Sequence, residues 1–166
     1  NANAVKELVL AGLLLAARNI CQAWNFTRSL QGDDAALEVA VEKGKKEFLG
    51  FELPGRTLGV IGLGSIGVEV ANAVQSLGMQ VLGYDPQITV QHAWQLSASV
   101  RQAQSLDDLF ARADVVTVHV PLNEQTRALV NGARLKLMRP GGAVLTFARA
   151  HVGNDVHIAA GNPELR

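Results

Sequence analysis

The sequence is poor in several residue types, and each shortage excludes a class of protein. Its 166 residues include a single cysteine, Cys21, so an internal disulfide and a cysteine-rich metal site are both excluded. Aromatic residues make up 5%, too few for a platform that stacks the bases of single-stranded nucleic acid. The 15 Lys and Arg residues balance 15 Asp and Glu residues, whereas a nucleic-acid binder normally has a basic excess. We therefore expect a cytoplasmic protein of a reducing compartment, with no bound metal and no nucleic-acid partner.

Long hydrophobic runs are absent too. The most apolar segment, residues 8–17, is far shorter than the roughly 20 residues of a membrane-spanning helix, so no membrane span is expected. As a helix it is apolar on opposite faces, which must both be covered. We expect either a central core helix or a homodimer that packs through the helix between Leu8 and Ile20, and a buried Cys21 just after it. Leu10, Leu14 and Leu15 lie on one face, and the opposite helical stripe consists of Val5, Leu8, Val9, Gly12, Leu13, Ala16 and Ile20.

The order of predicted elements defines the fold class. After a leading helix and an arm with a short helix over residues 34–42, apolar runs of strand length alternate with helical stretches. Such alternation is typical of an α/β fold with a doubly wound parallel sheet. We assign residues 1–50 to the leading helix and arm, and residues 51–166 to the α/β domain. Strands are predicted at 57–61, 80–84, 114–120 and 143–147, and helices at 66–77, 105–112 and 132–138.

A glycine-rich motif follows the first predicted strand and opens a helix. Gly62 suits a tight turn, Gly64 lets a pyrophosphate approach the backbone, and Gly67 permits close packing of helix on strand. The N–H groups around Ser65 and Ile66 would face the anion at the positive end of the helix. The motif in this context predicts a dinucleotide-binding turn in a Rossmann-like domain.

Asp85 ends the second predicted strand, about 20 residues after the glycine motif. A carboxylate there accepts hydrogen bonds from the adenosine ribose and repels a 2′-phosphate. An arginine would be needed nearby to accommodate that phosphate, and none follows within the next few residues. The pattern favours NAD over NADP as the cofactor.

Two later strands end in residues suited to a ligand crevice. Pro121 closes the strand at 114–120, and Arg149 follows the strand at 143–147. Ligands of open parallel sheets bind beyond the carboxyl ends of the strands, where a guanidinium can grip a carboxylate. The histidines at 92, 119, 151 and 157 are each interpreted as structural rather than as the general acid, because none has a position that specifies that role.

Taken in order, these motifs resemble the D-2-hydroxyacid dehydrogenase family. The resemblance implies an NAD-dependent enzyme that oxidises a small 2-hydroxy acid to a 2-keto acid, and that dimerises through its cofactor domain. It further implies that Val120, Phe147 and Ala148 line the adenine and nicotinamide crevice, and that Arg149 is the catalytic arginine that grips the substrate. The motifs are LPGRTLGVIGLGSIG at 53–67, GYDP at 83–86, HVPL at 119–122, MRPG at 138–141 and FAR at 147–149.

The resemblance fails after Arg149. The family usually continues with two glycines, where this chain has Ala150 and His151, and the family's glutamate and histidine acid/base motifs are not found. We therefore expect one lobe of a larger enzyme, able to bind NAD but not to turn over alone.

Two segments narrow the resemblance to members that act on 3-phosphoglycerate: residues 46–53 and 93–97. Three alternatives remain open. They are a relative that acts on hydroxypyruvate or glyoxylate, a non-catalytic NAD-sensing partner, and a generic dinucleotide-binding module.

Overall fold

The computed structural model describes residues 1–121 and 123–147. Its centre is a five-stranded sheet in the order β3-β2-β1-β4-β5, with every neighbouring pair parallel. The predicted α/β class with a parallel sheet is therefore confirmed. The strands are β1 (Thr57–Ile61), β2 (Gln80–Tyr84), β3 (Arg101–Gln102), β4 (Val115–Val118) and β5 (Ala143–Thr146).

The helices lie between the strands, as the alternating pattern predicts, and three lead the chain. The sequence pattern does not predict the strand at 101–102, which is only two exposed residues. It also does not predict the helices at 20–29 and 90–95, because neither has a buried residue that would give an apolar stripe. The helices are α1 (Ala2–Ala17), α2 (Ile20–Ser29), α3 (Asp34–Gly44), α4 (Ser65–Gln75), α5 (Val90–Gln95), α6 (Leu106–Arg112) and α7 (Gly132–Leu135), with a 3-10 turn at Lys45–Phe48.

Alternate residues of β1 face different helices, so the sheet is covered on both sides. A side chain added at Gly59 would meet Leu109 and Ala113, from α6 and its end, whereas Val60 approaches Gly67 of α4. Because successive side chains of a strand point to opposite faces, α4 and α6 lie on opposite faces of the sheet. This is the doubly wound arrangement that the sequence predicts.

The core depends on strands that are buried along almost their whole length. All four residues of β4 are buried, as are four of the five in β1. Such continuous burial is typical of central strands in parallel sheets. One core cluster joins the sheet to α6; it comprises Ile61, Leu82, Ala103, Leu109, Phe110, Ala113, Val116, Val118 and Met138.

The chain divides into two compact units, one formed by Asn1–Leu10 with the chain from Leu53 onward, the other by Ala11–Glu52. Within the second unit, the Phe26 and Phe48 rings lie 5.3 Å apart between centroids. A side chain at Gly44 would overlap the Phe26 ring, so a larger residue there would displace the ring. The Asp33 carboxylate accepts the Ala36 N–H at 2.9 Å and caps α3, whose predicted position is confirmed.

The leading helix α1 has one fully buried stripe and one exposed apolar side. Val9, Leu13 and Ala17 are 0% exposed, while Leu14 and Leu15 are exposed on the chain's own surface. Leu8 and Ile20 are exposed as well, so the alternative of a central core helix, covered on both faces within one chain, is wrong.

Cys21 is also exposed, which corrects the expectation that it is buried. The reason is a break between α1 and α2, where Asn19 adopts a left-handed conformation with φ 51°. The apolar stripe of α1 therefore does not continue into α2. Among the described residues, no helix has the length and apolar character to cross a membrane.

Candidate nucleotide-binding edge

The glycine-rich turn lies between β1 and α4, at the point where the strand order reverses. The chain runs outward from β1 to β2 and β3, then returns to the other side of β1 as β4. Crevices at such switch points, beyond the carboxyl ends of the strands, are where doubly wound sheets bind ligands. The fold therefore brings the predicted motif to the expected edge.

Two of the three motif glycines are required by the protein's own packing. Gly62 has φ +88°, and a Cβ there would lie 2.7 Å from Val120 Cγ1. A Cβ at Gly67 would lie only 1.9 Å from the carbonyl oxygen of Gly62. Any side chain at either position would displace the turn.

Gly64 is different, because a Cβ there would meet no atom of the described residues within 4 Å. Its φ of −73° is open to any residue, so neither backbone strain nor packing requires a glycine. The open space beside it fits the close approach of a ligand to the backbone.

The first turn of α4 offers hydrogen-bond donors toward this open space. The N–H groups of Ser65, Ile66 and Gly67 have no acceptor within the described ranges, and no side chain caps the helix. Unpaired N–H groups at the positive end of an 11-residue helix favour an anion. The residues present thus fit the pyrophosphate of a dinucleotide.

Asp85 is held against the turn from the end of β2. Its Oδ2 accepts the Leu63 N–H at 2.9 Å, and its Oδ1 accepts the Gln87 N–H at 2.9 Å. The Gly62 N–H also donates to the Tyr84 carbonyl oxygen at 2.9 Å, which ties the turn to the same strand. A carboxylate has about four acceptor sites, so both oxygens keep capacity for ribose hydroxyls.

The segment after β4 forms the facing wall of the crevice. Val120 packs beside Gly62, and the His119 N–H donates to the Ile61 carbonyl oxygen at 2.8 Å. Pro121 follows at the exposed rim, where its carbonyl oxygen accepts the Thr126 hydroxyl at 2.6 Å. This hydrogen bond fixes the rim of the crevice. The residue types at positions 121 and 126 do not by themselves indicate such a bond.

His119 is half-buried beside the turn, and its Nε2 lies 3.0 Å from the Thr117 hydroxyl oxygen. Burial lowers the pKa of the His119 imidazole from 6.5 to about 4, because desolvation penalises the charged form. The ring is therefore neutral at physiological pH, which agrees with its interpretation as a packing residue rather than a general acid.

Phe147 directly follows β5 and is 39% exposed. Since β1, β2, β4 and β5 are parallel neighbours, Phe147 belongs to the same edge as Gly62, Asp85 and Pro121. Ala148 and Arg149 lie outside the described residues, as do His151 and His157. Within 1–121 and 123–147, no cluster of His, Cys, Asp and Glu could hold a metal ion.

Comparison with known proteins identifies the family of this chain. A family model described as D-isomer specific 2-hydroxyacid dehydrogenase, NAD binding domain, matches residues 10–161. Because the match covers most of the chain, the chain belongs to this family.

Individual relatives carry different substrate names. A D-3-phosphoglycerate dehydrogenase of Methanocaldococcus jannaschii is 39% identical over 145 residues, covering 87% of this chain and 25% of that protein. An (S)-sulfolactate dehydrogenase of Chromohalobacter salexigens is 35% identical over 161 residues, covering 96% and 48%. The holo structure of Rhodotorula graminis D-mandelate dehydrogenase superposes with a TM-score of 0.75 at 30% identity, covering 93% and 44%. The chain thus spans between a quarter and a half of the length of these proteins.

Proposed function

We propose that this chain is the NAD-binding lobe of an enzyme that oxidises a D-2-hydroxy acid, with 3-phosphoglycerate as the favoured substrate. The observation that carries the proposal is the pairing of two features at one edge. They are the unpaired N–H groups of Ser65, Ile66 and Gly67 beside an open Gly64, and the Asp85 carboxylate fixed to the same turn. Together they match the phosphates and the ribose of one dinucleotide.

The residues of the crevice would have separate tasks. When bound, the nicotinamide accepts a hydride from the substrate carbon or returns it. Val120 and Phe147 would supply the apolar walls that exclude water. Arg149 would hold the substrate carboxylate through a bidentate pair, by the family resemblance.

Asp85→Ala tests the cofactor site. We expect NAD affinity to fall about ten- to a hundredfold, because hydrogen bonds to a charged group contribute about 1.5 to 3 kcal/mol. The ratio of NADP affinity to NAD affinity should rise, since the carboxylate no longer repels a 2′-phosphate. Titration calorimetry with both nucleotides measures this.

Asp34→Ala is the matched control, because it removes an exposed carboxylate in the first turn of α3. It should leave both affinities unchanged. Equal NAD affinity in the wild type and Asp85→Ala would show that the chain is not this kind of dinucleotide site.

The substrate proposal rests on the relatives and on two sequence segments. The names phosphoglycerate and sulfolactate both describe 2-hydroxy acids with a second anionic group, a phosphate or a sulfonate. The favoured substrate therefore carries two anionic ends. Assays of the full gene product with 3-phosphoglycerate, sulfolactate, hydroxypyruvate and glyoxylate would decide, and NAD binding without turnover of any would favour a sensor.

We also propose a homodimer through the helix between Leu8 and Ile20. Leu8, Ala11 and Leu15 follow one another at i, i+3 and i+7 of α1, and all three are exposed. Such a stripe opposite a buried one is an apolar face that requires a cover. In this proposal, residues 1–50 form the dimer-contacting segment and residues 51–166 the cofactor domain.

A further inference from the structure

A second cavity lies at the edge of the sheet opposite the glycine-rich turn. It has a volume of about 400 Å³, within the range of small-molecule sites. Thr57 and Gln80, the first residues of β1 and β2, line it, as do Gln75 and Arg112 at the ends of α4 and α6. A five-residue strand separates it from the turn by roughly 15 Å, so the two sites are distinct.

Positive charge dominates the lining. Arg101, Arg112 and Arg139 all line the cavity, and none of the described residues that line it is acidic. The Arg101 side chain is exposed, and its guanidinium has no hydrogen-bond or ion-pair partner in the described part of the chain. An exposed cation without a partner at a concave site attracts anions.

The carboxylates behind the cavity do not cancel this charge. Asp108 pairs with Arg112 at 3.0 Å. Asp114 is shared, since its Oδ1 lies 3.7 Å from Arg56 and 3.6 Å from Arg139. Asp114 Oδ2 also accepts the Thr57 N–H at 2.8 Å, which fixes its position.

Two helices end at this cavity and contribute partial negative charge. The carbonyl ends of α4 and α6 amount to about half an elementary charge each. Of the three arginines that line the cavity, Arg112 and Arg139 each lie near a carboxylate, whereas Arg101 has no described carboxylate beside it.

The neutral lining is both fixed and polar. The Gln75 side-chain amide donates to the Ala71 carbonyl oxygen at 3.0 Å, and its oxygen accepts the Ser97 and Ser99 hydroxyls. This network fixes one wall. The Gln80 amide, in contrast, has no side-chain partner in the described ranges, so it can donate to a ligand.

We propose that this cavity is a second anion site, which binds the phosphate group of a small phosphorylated molecule. Guanidinium groups match phosphate oxygens in bidentate geometry, and the amide of Gln80 adds a neutral donor. A phosphate alone would fill only part of the volume, which leaves space for an organic portion. Because the site does not overlap the glycine-rich turn, its ligand would act independently of the dinucleotide.

Titration calorimetry at fixed ionic strength, with inorganic phosphate and with glycerol 2-phosphate, tests the proposal. We expect saturable binding of both, with dissociation constants below about 10 mM. Saturating NAD should change these constants by less than twofold. Tighter binding of the ester would identify a phosphorylated metabolite as the source, and equal binding would identify free phosphate.

Arg101→Gln should weaken binding at least tenfold, and Arg101→Glu should abolish it. Arg127→Gln is the matched control, because Arg127 is exposed, lies outside the cavity and loses the same charge; it should change binding less than twofold. The proposal is overturned if binding does not saturate, if both glutamine variants weaken it equally, or if NAD competes with phosphate. Failure of NAD to bind would count against the proposed function, but the comparison of phosphate binding between the Arg101 and Arg127 variants would still test the second site.

Discussion

At the residue scale, the glycines of the turn divide by what excludes a side chain. At Gly67 the obstacle is the backbone oxygen of Gly62, which a Cβ would approach to 1.9 Å. At Gly64 no atom in the described part of the chain would obstruct a Cβ. Gly67 therefore maintains the fold, whereas Gly64 leaves room for a ligand.

Substituting each glycine separates these roles. Gly67→Ala should lower the free energy of unfolding by about 3 kcal/mol or more, because the backbone must move to relieve the overlap. Gly64→Ala should leave the unfolding free energy within about 0.5 kcal/mol but weaken NAD binding at least tenfold. Urea unfolding and NAD titration measure the two effects.

Gly132→Ala is the control for both, since a Cβ there also meets nothing within 4 Å and the residue lies in α7, away from the turn. It should change neither quantity. A Gly64→Ala variant with full NAD affinity would contradict the assignment of the open space to the cofactor.

At the element scale, β4 is buried along its whole length and is followed directly by a titratable residue, His119. Thr117 is 0% exposed, and its hydroxyl is hydrogen-bonded to the imidazole of His119. The two residues are two positions apart, so their side chains lie on the same side of the extended chain. The strand thus places a neutral histidine beside the glycine-rich turn. Its low pKa couples the stability of this edge to pH.

The pH dependence has a defined sign. The pKa of His119 is about 4 in the folded chain, against 6.5 as its ordinary value, so between these values the unfolded state binds the extra proton. Stability is complete above pH 6.5 and is lost as pH falls toward 4. From pH 7 to pH 5 the loss due to His119 should be about 2 kcal/mol.

Urea unfolding of the wild type and of His119→Gln at both pH values isolates this contribution. The wild type should lose about 2 kcal/mol more than the variant. Thr117→Val is the control, because it removes the hydroxyl but leaves the burial that lowers the pKa, so its pH dependence should match the wild type. Parallel losses in the wild type and His119→Gln would refute the assignment.

At the scale of the whole molecule, the exposed side of α1 determines the expected assembly. Leu8 is 55% exposed and Leu15 39%, although both belong to an apolar helix. Burying such side chains contributes about 1.5 to 3 kcal/mol each, so a partner surface would be favourable. A second copy of the helix offers the same apolar stripe.

Leu15→Glu should convert the dimer to a monomer at micromolar concentration, because a carboxylate would have to be buried without a partner. Val39→Glu is the matched control; Val39 is exposed on α3, outside the stripe, and its substitution should leave the dimer intact. Sedimentation velocity decides the outcome. A monomeric wild type would count against the proposed interface.

The sequence predicted the regular parts of this molecule well because their signals are local. The bounds of β1 and β2 match the prediction, and Asp33, Ser105 and Asn131 each cap a helix start. The strand predicted at 114–120 is shorter, since only Val115–Val118 pair with both neighbouring strands, and His119 makes the last backbone hydrogen bond to β1. Ends of elements depend on tertiary contacts that no local pattern contains.

The sequence by itself determined the fold class and the glycine-rich turn with Asp85, because periodicity and the conformational freedom of glycine are properties of the chain's own residues. Only the tertiary structure decided which side of α1 is buried, why Gly64 differs from Gly67, and that Arg101, Arg112 and Arg139 share a cavity. These facts depend on distances between residues far apart in sequence. Such distances arise only when the parallel strands are brought side by side.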